Sequence, residues 1–223
     1  MNTAGETVPR LSRAQATDRL VSAATQILAS CGPAAVKARS VAEAAGVSTS
    51  AVYHHIGGVP ELFQVVADRG FGDLAHRFAE VTQTSDPVAD LFAHALVARR
   101  FAIANPHLYD LMFGLSTRGT YRTSLRLAVE RQSDSFRHAY ARLVRACERV
   151  KAHGRMHPSS DVTSVADQLW SAVHGFVTLE LAGHFAHRPD PVRDVLQVLT
   201  INILVGEGDS RAAATESHAL TTG

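Results

Sequence analysis

Apolar residues recur three and four positions apart along most of the chain, from about Asp18 to Val205, and the alternating runs a strand needs are scarce. Side chains on that period line one face of a helix, so the pattern predicts an all-α fold of about nine helices. Proline and glycine punctuate it. Gly32-Pro33 closes a first helix over about 18–30, whose face carries Leu20, Ala24, Ile27 and Leu28. Two short helices are expected at 39–45 and 49–55, a long one at 60–83 opened by Pro60, and another between Asp86-Pro87 and Asn105-Pro106. A short apolar helix in HLYDLMFGL, a long one from Tyr121 to Lys151, and two more at 161–185 and 191–205 complete the set. The end of the chain, GEGDSRAAATESHALTTG at 206–223, has little to bury and is expected to be disordered.

With 46% hydrophobic residues, 223 positions supply a sizeable core. Cys31 and Cys147 lie too far apart for a disulfide framework or a zinc knuckle and are expected to be small buried hydrophobes in a reducing compartment. The start has no signal-peptide core, and the most apolar run, VLQVLTINILV at 195–205, is interrupted by polar residues and too short for a bilayer. A soluble, cytoplasmic protein with no membrane partner is expected. Twelve histidines come without an HExxH, a CxxC or a carboxylate cluster, so neither metal nor cofactor is expected. A nucleophile–base pair, paired carboxylates and a phosphate loop are also missing, which argues against catalytic residues and an enzyme. Net charge is only +1 but unevenly spread: residues 118–155 hold ten basic and three acidic side chains. The arginines there, such as Arg122, Arg126, Arg137, Arg142, Arg145 and Arg149, fall off the apolar line. They are expected to form a solvated face paired with acids of the fourth and fifth helices, an anionic effector or a second protein at that face being the alternative.

The stretch VAEAAGVSTSAVYHHI at 41–56 sets two short helical patterns around Ala-Gly-Val-Ser. Gly46 can take the left-handed conformation of a sharp turn, Val41, Val47 and Val52 supply a minimal core, and Ser48 can cap the second helix. That is what a helix-turn-helix requires. The second helix shows mainly short or hydrogen-bonding side chains, so it can approach base edges in a major groove. An ordinary helical hairpin is the competing explanation from spacing alone.

Residues 18–63 resemble the DNA-binding domain of the tetracycline-repressor family, through VAEAAGVS, then AVYHHI, then PELF. The resemblance implies DNA contacts from Lys37, Arg39, Ser48, Thr49, Ser50, Tyr53, His54 and His55. Two departures stand out: Ile56 where the family usually has Phe, and Val59 where a Lys commonly meets phosphate. Arg10 and Arg13 in the N-terminal arm are expected to compensate for that lost contact. The resemblance divides the chain into a flexible arm at 1–15, a helix-turn-helix domain at 16–59, a ligand-binding and dimerisation domain at 60–205, and the tail.

WSAVHG at 170–175 and NPHLYDLMFG at 105–114 resemble the subgroup of these regulators whose C-terminal domain is named for a Trp-His-Gly motif. Trp170 and His174 share one helix face. With Phe101, Tyr109, Met112, Phe113, Tyr121 and Phe136 they are the candidate lining of an effector cavity, each with plain core packing as its alternative. The last helix is apolar on most of its circumference, which predicts burial against a partner chain. Gly175, Phe176, Leu179, Gly183, Leu196, Leu199 and Ile203 are the expected interface of a two-fold homodimer, as the resemblance also implies. The expected function is a ligand-responsive regulator binding a double-stranded DNA operator and an unknown small-molecule effector, most often a repressor in this family. A helical adaptor carrying the motif, or an enzyme, are the alternatives.

Overall fold

The computed structural model describes residues 12–114 and 133–221, and every regular element among them is helical. In chain order these are α1 (Arg13–Cys31), a 3-10 turn (Pro33–Ala35), α2 (Ala38–Ala45), α3 (Thr49–His55), α4 (Val59–Ala79), α5 (Pro87–Ala104) and α6 (Pro106–Met112). Then follow α7 (Asp134–Ala152), α8 (Val162–Leu181), a π-helical turn (Val192–Leu196), α9 (Gln197–Gly206) and α10 (Arg211–Ala219). The expected helix over 121–151 is described only from Asp134, so Tyr121, Arg122 and Arg126 lie outside the described residues, as does Arg10. The chain divides into two compact units, the first comprising residues 12–67 and 110–114 and the second 68–109 and 133–221 of those described. The cut in α4 follows Ala67, not residue 59 as expected: Leu62, Phe63 and Val66 in its first two turns are buried.

In the first unit α1 begins five residues earlier than its apolar period suggested. Ser12 and Gln15 form a reciprocal capping box: the Gln15 amide donates to the Ser12 hydroxyl at 3.2 Å and the Ser12 amide to the Gln15 side chain at 2.9 Å. Arg13, expected in a flexible arm, is therefore helical. Leu20, Val21, Ala24 and Leu28 bury one face of α1, which packs on both α2 and α3. Cys31, expected to be buried, ends α1 exposed, whereas Cys147 is buried and its thiol pushed up to about 12 by desolvation.

In the second unit α5 is the central element. Asp86 caps it by accepting from the amides of Val88 and Ala89, Pro87 takes its first position, and eleven of its eighteen residues are buried. It packs against α7, α8 and α10, with Val88 and Leu91 meeting Leu143, Cys147, Val165 and Leu169. Its buried acid Asp90 accepts from the Thr84 amide and hydroxyl and from Arg149 of α7 at 2.7 Å. Arg99 makes a two-pronged pair with Glu180 of α8, both contacts at 2.8 Å. The arginine face of α7 is thus paired in part: Arg149 reaches an acid of α5 as expected and Arg137 pairs with Asp134, while Arg142 and Arg145 are exposed.

The tail departs most from expectation. Ser210 caps α10, and Ala214, Ser217 and His218 are buried as the helix packs on α5 and α9. The turn before it is built closely: Gly208 sits at φ +108°, and a Cβ there would lie 3.0 Å from the His157 amide nitrogen. Replacing Asp90 with Ala strands the Arg149 guanidinium and the Thr84 donors, which is expected to cost about 3 kcal/mol. Urea denaturation reads the loss, and an unchanged midpoint contradicts it.

Candidate nucleic-acid interface and ligand cavity

Between α2 and α3 the backbone makes a Schellman turn. Gly46 adopts φ 66° and ψ 37°, its amide donates to the Glu43 carbonyl at 3.1 Å, and the Val47 amide donates to the Ala42 carbonyl at 3.0 Å. Val41 and Val52 are fully buried and Val47 half-buried, as the sequence indicated. Ser48 stands at the N-cap position in extended conformation, but its hydroxyl bonds Ser50 Oγ at 2.8 Å and not an amide of the first turn. That corrects its expected capping role and ties Ser48 to Ser50 on the exposed surface.

Of the seven residues of α3 only Val52 is buried. Thr49, Ser50, Tyr53 and His54 are exposed, Tyr53 at 59%. Lys37 and Arg39 are exposed at the start of α2, where the Lys37 amide donates to Ser40 Oγ and leaves the ammonium outside the cap. His55 differs from the rest: it is half-buried, its ring meets His54 edge-on at 4.9 Å, and its Nδ1 is enclosed without a hydrogen bond. Seven of the eight DNA-contact candidates are therefore exposed, and His55 is half-buried.

The candidate cavity lining is more scattered. Met112 and Phe113 fall in the first unit, whereas Phe101, Tyr109, Phe136, Trp170 and His174 fall in the second. Phe101 and Tyr109 are core residues, 1% and 2% exposed. His174 Nδ1 and the Tyr109 hydroxyl are 2.6 Å apart, and the His174 ring stacks on Trp170, which meets Phe136 edge-on. His174 is thus half-buried and hydrogen-bonded, and desolvation pushes it down to about 4. Tyr140, beside this row, donates to Asp167 at 2.5 Å.

An apolar cavity of about 30 Å³ does lie in the second unit, and of the seven described candidates only Trp170 lines it. Its other walls include Phe78, Phe92, His94, Val173, Thr200 and His218. Nothing in the sequence pattern singled these out, because α5 is apolar around most of its circumference and does not show which side chain faces a void. His94 donates from Nδ1 toward the Asp90 carbonyl at 2.7 Å, and desolvation pushes both His94 and His218 below the usual histidine value. The expected interface residues also divide. Leu179, Leu199, Gly175 and Gly183 are exposed and Ile203 half-buried, but Phe176 and Leu196 are buried inside the subunit and unavailable to a partner chain. Among the described residues no group of three metal-ligating side chains occurs.

Residues 20–66 match the family model described as bacterial regulatory proteins, tetR family, and residues 91–201 match one described as tetracyclin repressor-like, C-terminal domain. That second description names no Trp-His-Gly subgroup. No curated protein matches the chain. Among solved structures it is similar to a protein of unknown function from Rhodococcus sp. RHA1, at 22% identity and TM-score 0.70, covering 92% of this chain and 100% of that one. It is also similar to RolR in complex with resorcinol, at 18% identity and TM-score 0.67, covering 93% and 94%. A third is SmeT, the repressor of the Stenotrophomonas maltophilia multidrug efflux pump SmeDEF, at 20% identity and TM-score 0.58, covering 88% and 90%.

Three histidines, His218 buried and His94 and His174 half-buried, set a pH dependence. Their folded values are depressed below about 6.5, so the stability they contribute is present above that value and lost as pH falls from it, for His174 through about 4. His174 alone accounts for about 3 kcal/mol at most. Thermal melts are expected to fall between pH 7 and pH 4, less steeply in His174→Gln; identical profiles contradict the assignment.

Proposed function

The chain belongs to the tetracycline-repressor family of bacterial regulatory proteins, and on that premise we propose that it is a homodimeric repressor released from a palindromic operator by a small-molecule effector. The observation that carries the proposal is the division of labour in α3: one buried valine holds the helix, and Thr49, Ser50, Tyr53 and His54 stand clear of the core. In a major groove such side chains reach base edges, while Lys37 and Arg39 meet phosphates as point charges. Two copies on a two-fold axis read two half-sites one helical turn apart.

Support for the dimer comes from α8 and α9, where Leu179, Val198 and Leu199 are 45%, 45% and 39% exposed. Large apolar side chains grouped on adjacent helices are the mark of a surface that a partner chain covers. Gly175 on α8, Gly183 in the turn just beyond its end, and Ile203 on α9 are the other residues assigned to that surface. The chemistry assigned here is binding, with no catalytic residues and no cofactor, and its site of action is the bacterial cytoplasm. No helix among the described residues is long and apolar enough to cross a membrane. The effector binds in the second unit and discriminates between two separations of the DNA-reading helices, since a ligand that binds both equally shifts nothing.

Fluorescence-anisotropy titration of the DNA upstream of the chain's own gene tests the proposal. Tyr53→Ala is expected to weaken binding by about 1–3 kcal/mol, roughly fivefold to 150-fold, with little change in melting temperature because the ring is exposed. Lys37→Ala is expected to lower the salt-dependence slope by about one. Unaltered affinity and slope in both variants rule out α3 and the start of α2 as the interface.

A further inference from the structure

The apolar cavity between α5 and α10 is about 30 Å³, the share of a single water, whereas an apolar cavity that holds benzene measures on the order of 150 Å³. Its walls are unequal in how firmly they are held. α5, α7 and α8 are helices of 18 to 20 residues packed on one another, while α10 is the last element, nine residues long and beyond the region matched by the C-terminal family model. Short terminal elements open at the lowest free energy.

What α10 places in the cavity is one ring. His218 is 1% exposed; its Nδ1–H donates to the Ala214 carbonyl at 2.7 Å, and its Nε2 accepts from the Thr200 hydroxyl at 2.8 Å. The ring lies over Phe92, centroids 4.3 Å apart and planes 39° apart. Burial keeps this imidazole neutral. Outside the cavity α10 is held by a clasp: Arg155 donates to Asp209 at 2.7 and 2.8 Å and to the Ser217 hydroxyl at 3.2 Å, and pairs with Asp86 at 3.7 Å. Among the described residues no Asp, Glu, Lys or Arg lines the cavity, whose remaining walls include Phe78, Trp170 and Val173.

We propose that His218 is a built-in stand-in for the effector, and that the effector is an uncharged single-ring aromatic with one hydroxyl or ring nitrogen, which replaces the imidazole when α10 lifts. The inference rests on the effector reading above and deepens it. The class follows from what the vacated site offers. Phe92 and Trp170 present faces and edges that suit a planar ring. The Thr200 hydroxyl offers one hydrogen bond, and an apolar wall with no acidic, lysine or arginine side chain among its described residues disfavours an ion. The latch weakens apparent affinity by the fraction of time α10 is open, so loosening it strengthens binding.

Calorimetric titration of the full chain with phenol tests this. His218→Ala empties the ring site while keeping Thr200 and Phe92, and is expected to bind phenol at least tenfold more tightly than the wild type. Adding Thr200→Val to that variant is expected to remove most of the gain, and benzoate is expected to bind none of these proteins. Ser217→Ala loosens the clasp without touching the cavity wall and is expected to tighten phenol binding severalfold; it decides the matter if His218→Ala does not fold. Phenol affinity unchanged in His218→Ala, or in Ser217→Ala where the former is unfolded, overturns the inference, as does benzoate binding as tightly as phenol. The same samples are titrated with upstream DNA. Sequence-specific DNA binding with no phenol gain defeats this inference alone, whereas a phenol gain with no such DNA binding in any sample upholds the cavity assignment and defeats the regulatory one.

Discussion

A seven-residue helix has no stability of its own in water, so α3 exists because Val52 is fully buried in the first unit and Gly46 closes α2 in the left-handed conformation. Every other feature of the proposed DNA interface depends on that pairing of one side chain and one turn. A bulkier anchor would need a wider gap between the helices, and a second one would turn Thr49, Ser50 or Tyr53 inward. The spare exposed face of α3 is the direct consequence of holding the helix by a single valine.

The second unit solves a different problem. α5 is buried over most of its surface, so its one acid, Asp90, has to be neutralised in place, and Arg149 with Thr84 does so. Ion pairs then recur wherever a helix must be fixed to α5 or to its flanks: Arg99 to Glu180 on α8, and Arg155 to Asp209 and Asp86 near α10. Such pairs add little net stability once their desolvation is counted, but they penalise any other register.

Much of this was legible in the residues, for identifiable reasons. Gly46 and the valines around it state a turn and its core in side-chain terms, and Asp86-Pro87 with Asn105-Pro106 bounds α5 at the observed residues. The start of α1 was signalled by Ser12 and Gln15 three apart, a capping pattern that hydrophobic period alone passes over. α10 was missed because it is buried through Ala214, Ser217 and His218, small or polar residues whose partners are distant in sequence. The cavity was missed for the opposite reason: in helices apolar on most sides, periodicity does not single out the residue beside a void. Phe176 and Leu196 were misassigned to a partner interface on the same ground, and the hydrogen bond of His174 to Tyr109 was not legible because the two lie 65 positions apart.

The most direct measurement is amide hydrogen exchange across the chain with and without the upstream DNA duplex. If α3 is the reading helix, the amides of 49–54 and the start of α2 gain protection on adding that duplex and lose the gain with a scrambled one. Protection that appears only in the second unit, or equally with both duplexes, contradicts the assignment of α3 to a DNA groove.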